Sequence, residues 1–193
     1  MQPVTTQENA VNKTFVLRNA KIGTRFIDVW VENGLIKNTA HHDSDEAKAM
    51  PTDIHQEDAK GLKIFPSFID AHVHLREPGY EYKEDIASGL NAAAHGGFGA
   101  VMCMANTKPV NDNASVTRFM LDAARRAYPD GGVRLYPIGA LTMGLEGKAL
   151  APMAELKEAG CVAFSNDGRP VTNTEIFRRA LEYAHDQGCP VID

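Results

Sequence analysis

Short runs in which apolar and polar residues alternate open the chain and predict strands. Thr14 to Arg18, Phe26 to Glu32 and Leu35 to Lys37 are such runs, and Gly23 and Asn33-Gly34 between them supply tight turns. The first dozen residues are polar and read as a mobile arm. After the third run comes His41-His42-Asp43-Ser44-Asp45-Glu46, continuing to His55. Its histidines and carboxylates have neither helical nor strand spacing that would converge them on an ion, so a solvated loop is expected. Residues 1–63 are therefore expected to form a small N-terminal β-domain of the sandwich type.

From Leu62 the pattern changes to short apolar runs separated by amphipathic stretches, which predicts strand-helix units around a parallel sheet. The first strand is Phe65 to His74. Its helix spans about Tyr82 to His95, with Ile86, Leu90, Ala93 and Ala94 on one face and Gly96-Gly97 as the stop. Ala100 to Met104 is the second strand. A helix near Asn113 to Tyr128 then aligns Val116, Phe119, Met120, Ala123 and Ala127, and Pro129-Asp130-Gly131-Gly132 ends it. Val133 to Gly139 and Val162 to Ser165 are strands three and four, with a helix from about Pro152 to Ala159 between them. The fourth helix, about Thr174 to Gln187, turns Ile176, Phe177, Ala180, Leu181 and Ala184 inward, and Pro190 to Asp193 opens a fifth strand. Four or five strands of a closed parallel barrel leave an apolar edge without a partner. Residues 64–193 are accordingly expected to be the first half of a (β/α)8 barrel, truncated at strand five or completed by polypeptide supplied elsewhere.

Composition narrows the function. A net charge of -5 with scattered Lys and Arg offers no basic surface for phosphate backbones, which argues against nucleic acid. No window has the roughly 20 apolar residues of a membrane span, and the polar start lacks the order of a signal peptide, so a cytoplasmic protein is expected. Cys103, Cys161 and Cys189 each lie in an apolar run and read as buried thiols of a reducing compartment, not as a disulfide framework.

The candidate chemistry sits where predicted strands end. In a strand, residues two apart point the same way with Cα atoms roughly 6.6 Å apart, so His72 and His74 can close on one metal ion. Asp70 shares their parity and is expected either to orient an imidazole or to cap the loop. A His-x-His pair alone is a weak signal, but barrel enzymes place their chemistry at the C-terminal ends of strands. Asp167, in Ser165-Asn166-Asp167-Gly168-Arg169-Pro170 after strand four, would put a carboxylate at the same mouth; alone, Asn-Asp-Gly is an ordinary turn. Arg76 and Asn106 fall on the same rim and suit a clamp for a substrate carboxylate, against the plainer readings of a surface salt bridge and a turn before Pro109.

Four runs together resemble the class I, bacterial-type dihydroorotases of the amidohydrolase superfamily. They are Asp70 to Gly79, Glu81-Tyr82-Lys83-Glu84-Asp85, Gly96-Gly97-Phe98 and Phe164 to Pro170. Hydantoinases and allantoinases are similar around His-x-His but usually lack the Leu-Arg-x-Pro-Gly continuation. One departure is Ala105, where the family more often has proline.

The resemblance implies a (β/α)8 barrel beside a small β-domain built from both chain ends. It implies His72, His74 and Asp167 as ligands of one or two zinc ions, with Asp167 preferred to Asn166 because it alone is acidic. It assigns the grip on the dihydroorotate carboxylate to Arg76 and Asn106, with His74 also at the substrate. Further histidines, the first expected just after Asp193, and a proton-shuttling aspartate of strand eight would lie beyond this sequence. The implied reaction is reversible hydrolysis of L-dihydroorotate to N-carbamoyl-L-aspartate in pyrimidine biosynthesis, with a homo-oligomer or aspartate transcarbamoylase as partner. The alternatives are another cyclic amidase and a non-catalytic scaffold for the transcarbamoylase.

Overall fold

The computed structural model describes residues 13–129 and 131–192. The arm expected over the first dozen residues, Asp130 and Asp193 lie outside them. The chain divides into two compact units between Pro66 and Ser67.

The first unit contains β1 (Phe15–Ile22), β2 (Arg25–Glu32), β3 (Leu35–His41), a one-turn helix α1 (Asp45–Lys48) and β4 (His55–Asp58). Its described residues form one four-stranded sheet in the order β3-β2-β1-β4, with β4 parallel to β1 and the other pairs antiparallel. Asn33 and Gly34 both have positive φ, which a two-residue hairpin turn between right-twisted strands requires.

The stretch after His41 is not the solvated loop its charge pattern suggested, because it holds α1 and β4. Asp28, 2% exposed, is the hub that docks it. Arg18 Nη1 donates to Asp28 Oδ2 at 2.9 Å and to the Ala47 carbonyl at 2.7 Å, while His42 Nδ1 lies 2.7 Å from Asp28 Oδ1. Burial works against ionisation of Asp28, but the Asn19 N–H, the Arg18 guanidinium and His42 outweigh it and hold the carboxyl below its ordinary range. The Ser44 hydroxyl caps α1 by accepting from the Ala47 N–H at 3.1 Å.

The second unit alternates strictly: β5 (Phe68–Val73), α2 (Ile86–His95), β6 (Phe98–Cys103), α3 (Ala114–Ala127), β7 (Arg134–Ala140), α4 (Met153–Ala159), β8 (Ala163–Ser165), α5 (Thr174–Asp186) and β9 (Val191–Ile192). The strands lie in sequence order, β5-β6-β7-β8-β9, and every pairing is parallel. This is the winding of half a (β/α)8 barrel. Leu75, Ile86, Leu90, Val101, Val116 and Met120 make one core cluster, and Leu141, Met153, Leu156, Phe164 and Ala180 another.

Helix boundaries follow capping chemistry more closely than hydrophobic period. α2 begins at Ile86, not near Tyr82, because Asp85 Oδ1 accepts from the Ser88 N–H at 2.7 Å and the Ser88 hydroxyl accepts from the Asp85 N–H at 3.3 Å. Phe119 and Leu181, expected inside, are 40% and 43% exposed. Each sits one helical step off the stripes that Met120 and Ala123, and Ala180 and Ala184, bury. The three cysteines are free and buried.

Candidate metal centre

Because the five strands run parallel, their C-terminal ends meet at one rim. β5 delivers His72 there and His74 just past its last residue; the loop after β6 carries Asn106, and the turn after β8 carries Asp167. His72 Nε2 lies 3.2 Å from Asp167 Oδ1, and His74 Nε2 lies 3.9 Å from the same oxygen. The ligand atoms of all three side chains fall within 4.8 Å of one another. The imidazole rings stand edge to face with centroids 5.2 Å apart.

Local packing fixes each contributor. Asp70 accepts from the backbone N–H of His72 at 3.0 Å, so it caps the strand end and does not orient an imidazole. Asp167 has a φ of 39° and its N–H donates to the Ser165 hydroxyl at 3.0 Å, which turns the carboxylate toward β5. Its neighbour Asn166 is buried, and its amide is consumed by Thr142: Asn166 Oδ1 accepts from the Thr142 N–H at 3.1 Å and Asn166 Nδ2 donates to the Thr142 hydroxyl at 2.9 Å. Of the two side chains, only that of Asp167 faces the histidines.

Asn106 sits between two of the candidate ligands. His74 Nδ1 lies 2.9 Å from Asn106 Oδ1, and Asn106 Nδ2 donates to Asp167 Oδ2. A buried network steadies its loop: Asn111 Nδ2 donates to the Ile138 carbonyl at 2.9 Å, and Asn111 Oδ1 accepts from the Thr117 hydroxyl at 2.7 Å. Gly79 lets the β5 loop lie against the β6 loop, since a Cβ there would stand 2.0 Å from the Lys108 carbonyl oxygen. The Lys108 N–H donates across this contact to the Pro78 carbonyl at 2.9 Å.

Arg76 adopts a φ of 63°, and Glu77 next to it reaches the start of α2, where Glu77 Oε2 accepts from the Ile86 N–H at 2.8 Å. This anchor holds Arg76 beside a cleft of about 300 Å³ that Tyr80, Lys83, Asn106, Asp167 and Arg169 also line. Among the described residues the Arg76 and Arg169 guanidinium groups make no ion pair, so the cleft presents cationic groups available to an anion. Sequence reasoning gave no role to Tyr80, Lys83 or Arg169. Lys83 and Arg169 do lie within the runs that carry the family resemblance, and that position was the one signal for them.

A family model described as Dihydro-orotase-like matches residues 61–191. The chain belongs to this family. Dihydroorotase of Geobacter metallireducens is 51% identical over 166 residues, covering 86% of this chain and 37% of that protein. Dihydroorotase of Geotalea daltonii is 55% identical over the same length, again covering 86% and 37%. The chain thus spans 37% of the length of these curated relatives. Among solved structures, L-hydantoinase (dihydropyrimidinase) from Arthrobacter aurescens superposes with a TM-score of 0.74 at 17% identity, over 92% of this chain and 40% of that one. An enamidase described as a member of the amidohydrolase superfamily gives 0.58 at 21% identity, over 92% and 49%. At such identities the likeness concerns the fold, and the half-barrel reading agrees with it. No helix among the described residues is long and apolar enough to cross a membrane.

Proposed function

We propose that this chain supplies the strand-one to strand-four part of a dihydroorotase active site, for reversible hydrolysis of L-dihydroorotate to N-carbamoyl-L-aspartate. The observation that carries the reading is the convergence of His72, His74 and Asp167 beside a cleft holding Arg76. Identity near 50% to proteins named dihydroorotase supports the choice of substrate.

Two imidazoles and a carboxylate suit zinc, whose ligands at about 2.0–2.1 Å stand roughly 3.3 Å apart in a tetrahedron. The separations of 3.2 and 3.9 Å fit such a group, which His72, His74 and Asp167 would hold. When bound, zinc supplies Lewis acidity, polarising an amide carbonyl and acidifying water.

The Arg76 guanidinium binds the substrate carboxylate through its fork of N–H donors, and Asn106 lines the same cleft beside it. Holding the ring there orients its amide toward the histidines, and such orientation removes much of the barrier in reactions of this type. Hydrolysis breaks the ring C–N bond, with the oxygen of water going to the carbonyl carbon and a proton to the nitrogen. By family resemblance, an aspartate of strand eight moves that proton. The free, buried thiols suit a reducing cytoplasmic setting.

Calorimetric titration of the zinc-loaded chain with dihydroorotate and with hydantoin, which lacks the carboxylate, tests the reading. Dihydroorotate should bind the more tightly, and Arg76→Ala should weaken it about 10–150-fold while leaving hydantoin unchanged. Equal binding of both ligands, indifferent to Arg76, would favour another cyclic amidase.

A further inference from the structure

We infer that Asn106 is a positioning residue for the metal ligands, selecting the tautomer of His74 and the free oxygen of Asp167; this rests on the metal reading above. The logic starts from Asp167. An ionised carboxylate only accepts hydrogen bonds, so the Asn106 atom facing Asp167 Oδ2 must be its NH2 group. The carboxamide oxygen is then the atom facing His74 Nδ1, 2.9 Å away, and an oxygen there requires a proton on Nδ1. A neutral imidazole carries one N–H and one lone pair, so the lone pair of His74 lies on Nε2.

Nε2 is the atom of His74 that points to Asp167 Oδ1, 3.9 Å away. Asp167 Oδ2 is occupied by Asn106, which leaves Oδ1 facing both histidines, with His72 Nε2 3.2 Å from it. One carboxamide thereby prepares a nitrogen lone pair and a carboxylate oxygen on the same side, before any ion arrives. His72 has no such support, since among the described residues its Nδ1 has no hydrogen-bond partner and its side chain is 53% exposed. Asn106 also lines the cleft, so the residue that readies the ligands touches the space where the substrate carboxylate would lie.

The test is long-range proton–nitrogen correlation on the metal-free, nitrogen-15-labelled chain, above the pH range where imidazoles titrate, paired with zinc affinity by chelator competition. Three proteins are compared: wild type, Asn106→Leu, which keeps the bulk and loses both polar ends, and Asn106→Asp, which keeps an acceptor for Nδ1–H. Wild type should show His74 as the Nδ1–H tautomer, Asn106→Asp should retain it, and Asn106→Leu should move it toward the Nε2–H form, with His72 as the internal reference. Zinc affinity should fall about 10–100-fold in Asn106→Leu. A His74 tautomer and a zinc affinity both unchanged in Asn106→Leu would overturn the role of Asn106 alone. Zinc affinity left unchanged by His72→Ala and by Asp167→Ala would overturn the metal reading itself, and with it the purpose assigned to Asn106.

Discussion

Replacing Gly79 by alanine should separate the two loops that frame the cleft, and the size of the effect can be worked from the structure. The new Cβ would stand 2.0 Å from the Lys108 carbonyl oxygen, 2.6 Å from Lys108 Cβ and 2.8 Å from its carbonyl carbon. Ordinary carbon–oxygen contacts begin at about 3.3 Å, so the loops must part by roughly 1 Å. Backbone atoms form most of this obstacle, and no rotamer change relieves them. The φ of +96° adds a further cost, because an L-residue in the left-handed region loses about 1–2 kcal/mol. Overpacking of this kind costs about 1–3 kcal/mol, so the total is about 2–5 kcal/mol.

The matching control is Gly188→Ala, at φ +64° with nothing within 4 Å of the added methyl. It should cost about 1 kcal/mol, from backbone strain alone. Urea denaturation of both variants measures the difference through their midpoints. Dihydroorotate titration then reads the functional part, since a displacement of about 1 Å at the cleft is worth up to about 100-fold in such sites. Equal destabilisation by the two substitutions, with ligand affinity intact in Gly79→Ala, would refute the close approach of the loops.

Two other outcomes follow from buried groups. Asp28 has a carboxyl held below its ordinary range, so it contributes stability that is present above its unfolded value near 3.8 and is lost as pH falls through the lower folded value. Asp28→Asn should cost about 1.5–3 kcal/mol near neutral pH and flatten the acid limb of a thermal-melt series, and an acid limb of unchanged slope would count against the Asp28 hub. Burial pushes the Cys103 and Cys161 thiols up to about 11, leaving only about 0.1% thiolate at pH 8. Iodoacetamide with mass-spectrometric readout should therefore leave both unmodified in the native protein and label them in denaturant; native labelling at the rate of a free thiol would contradict their burial.

The elements most legible in sequence were those of the second unit, where the apolar period of the helices and the Gly96-Gly97 stop of α2 agree locally. His72, His74 and Asp167 stood out because each follows or ends an apolar strand run, which is where a parallel sheet opens to its rim. The first unit was harder. β4 pairs with β1 through residues that are all exposed, so it carries no hydrophobic alternation, and α1 is one turn held by a cap and by Arg18. Asp70 shows the limit of parity reasoning, because its side chain turns back onto the N–H of His72.

What the sequence determined by itself is whatever backbone geometry sets over a few residues: the order of strands and helices in the second unit, and the common side of His72 and His74. Only the tertiary structure decided that Asp167 joins them. β5 and β8 are separated in the sheet by β6 and β7, and three spacings of about 4.8 Å would leave their ends some 14 Å apart if the sheet were flat. Its curl, together with the reach of the imidazole and the carboxylate, brings the side-chain atoms of His72 and Asp167 to 3.2 Å. The same curl brings Asn106 between ligand groups from two different strand ends, where the hydrogen-bonding capacity of one carboxamide orients both. Such meetings depend on the summed curvature of several packed elements, which no local window of sequence contains.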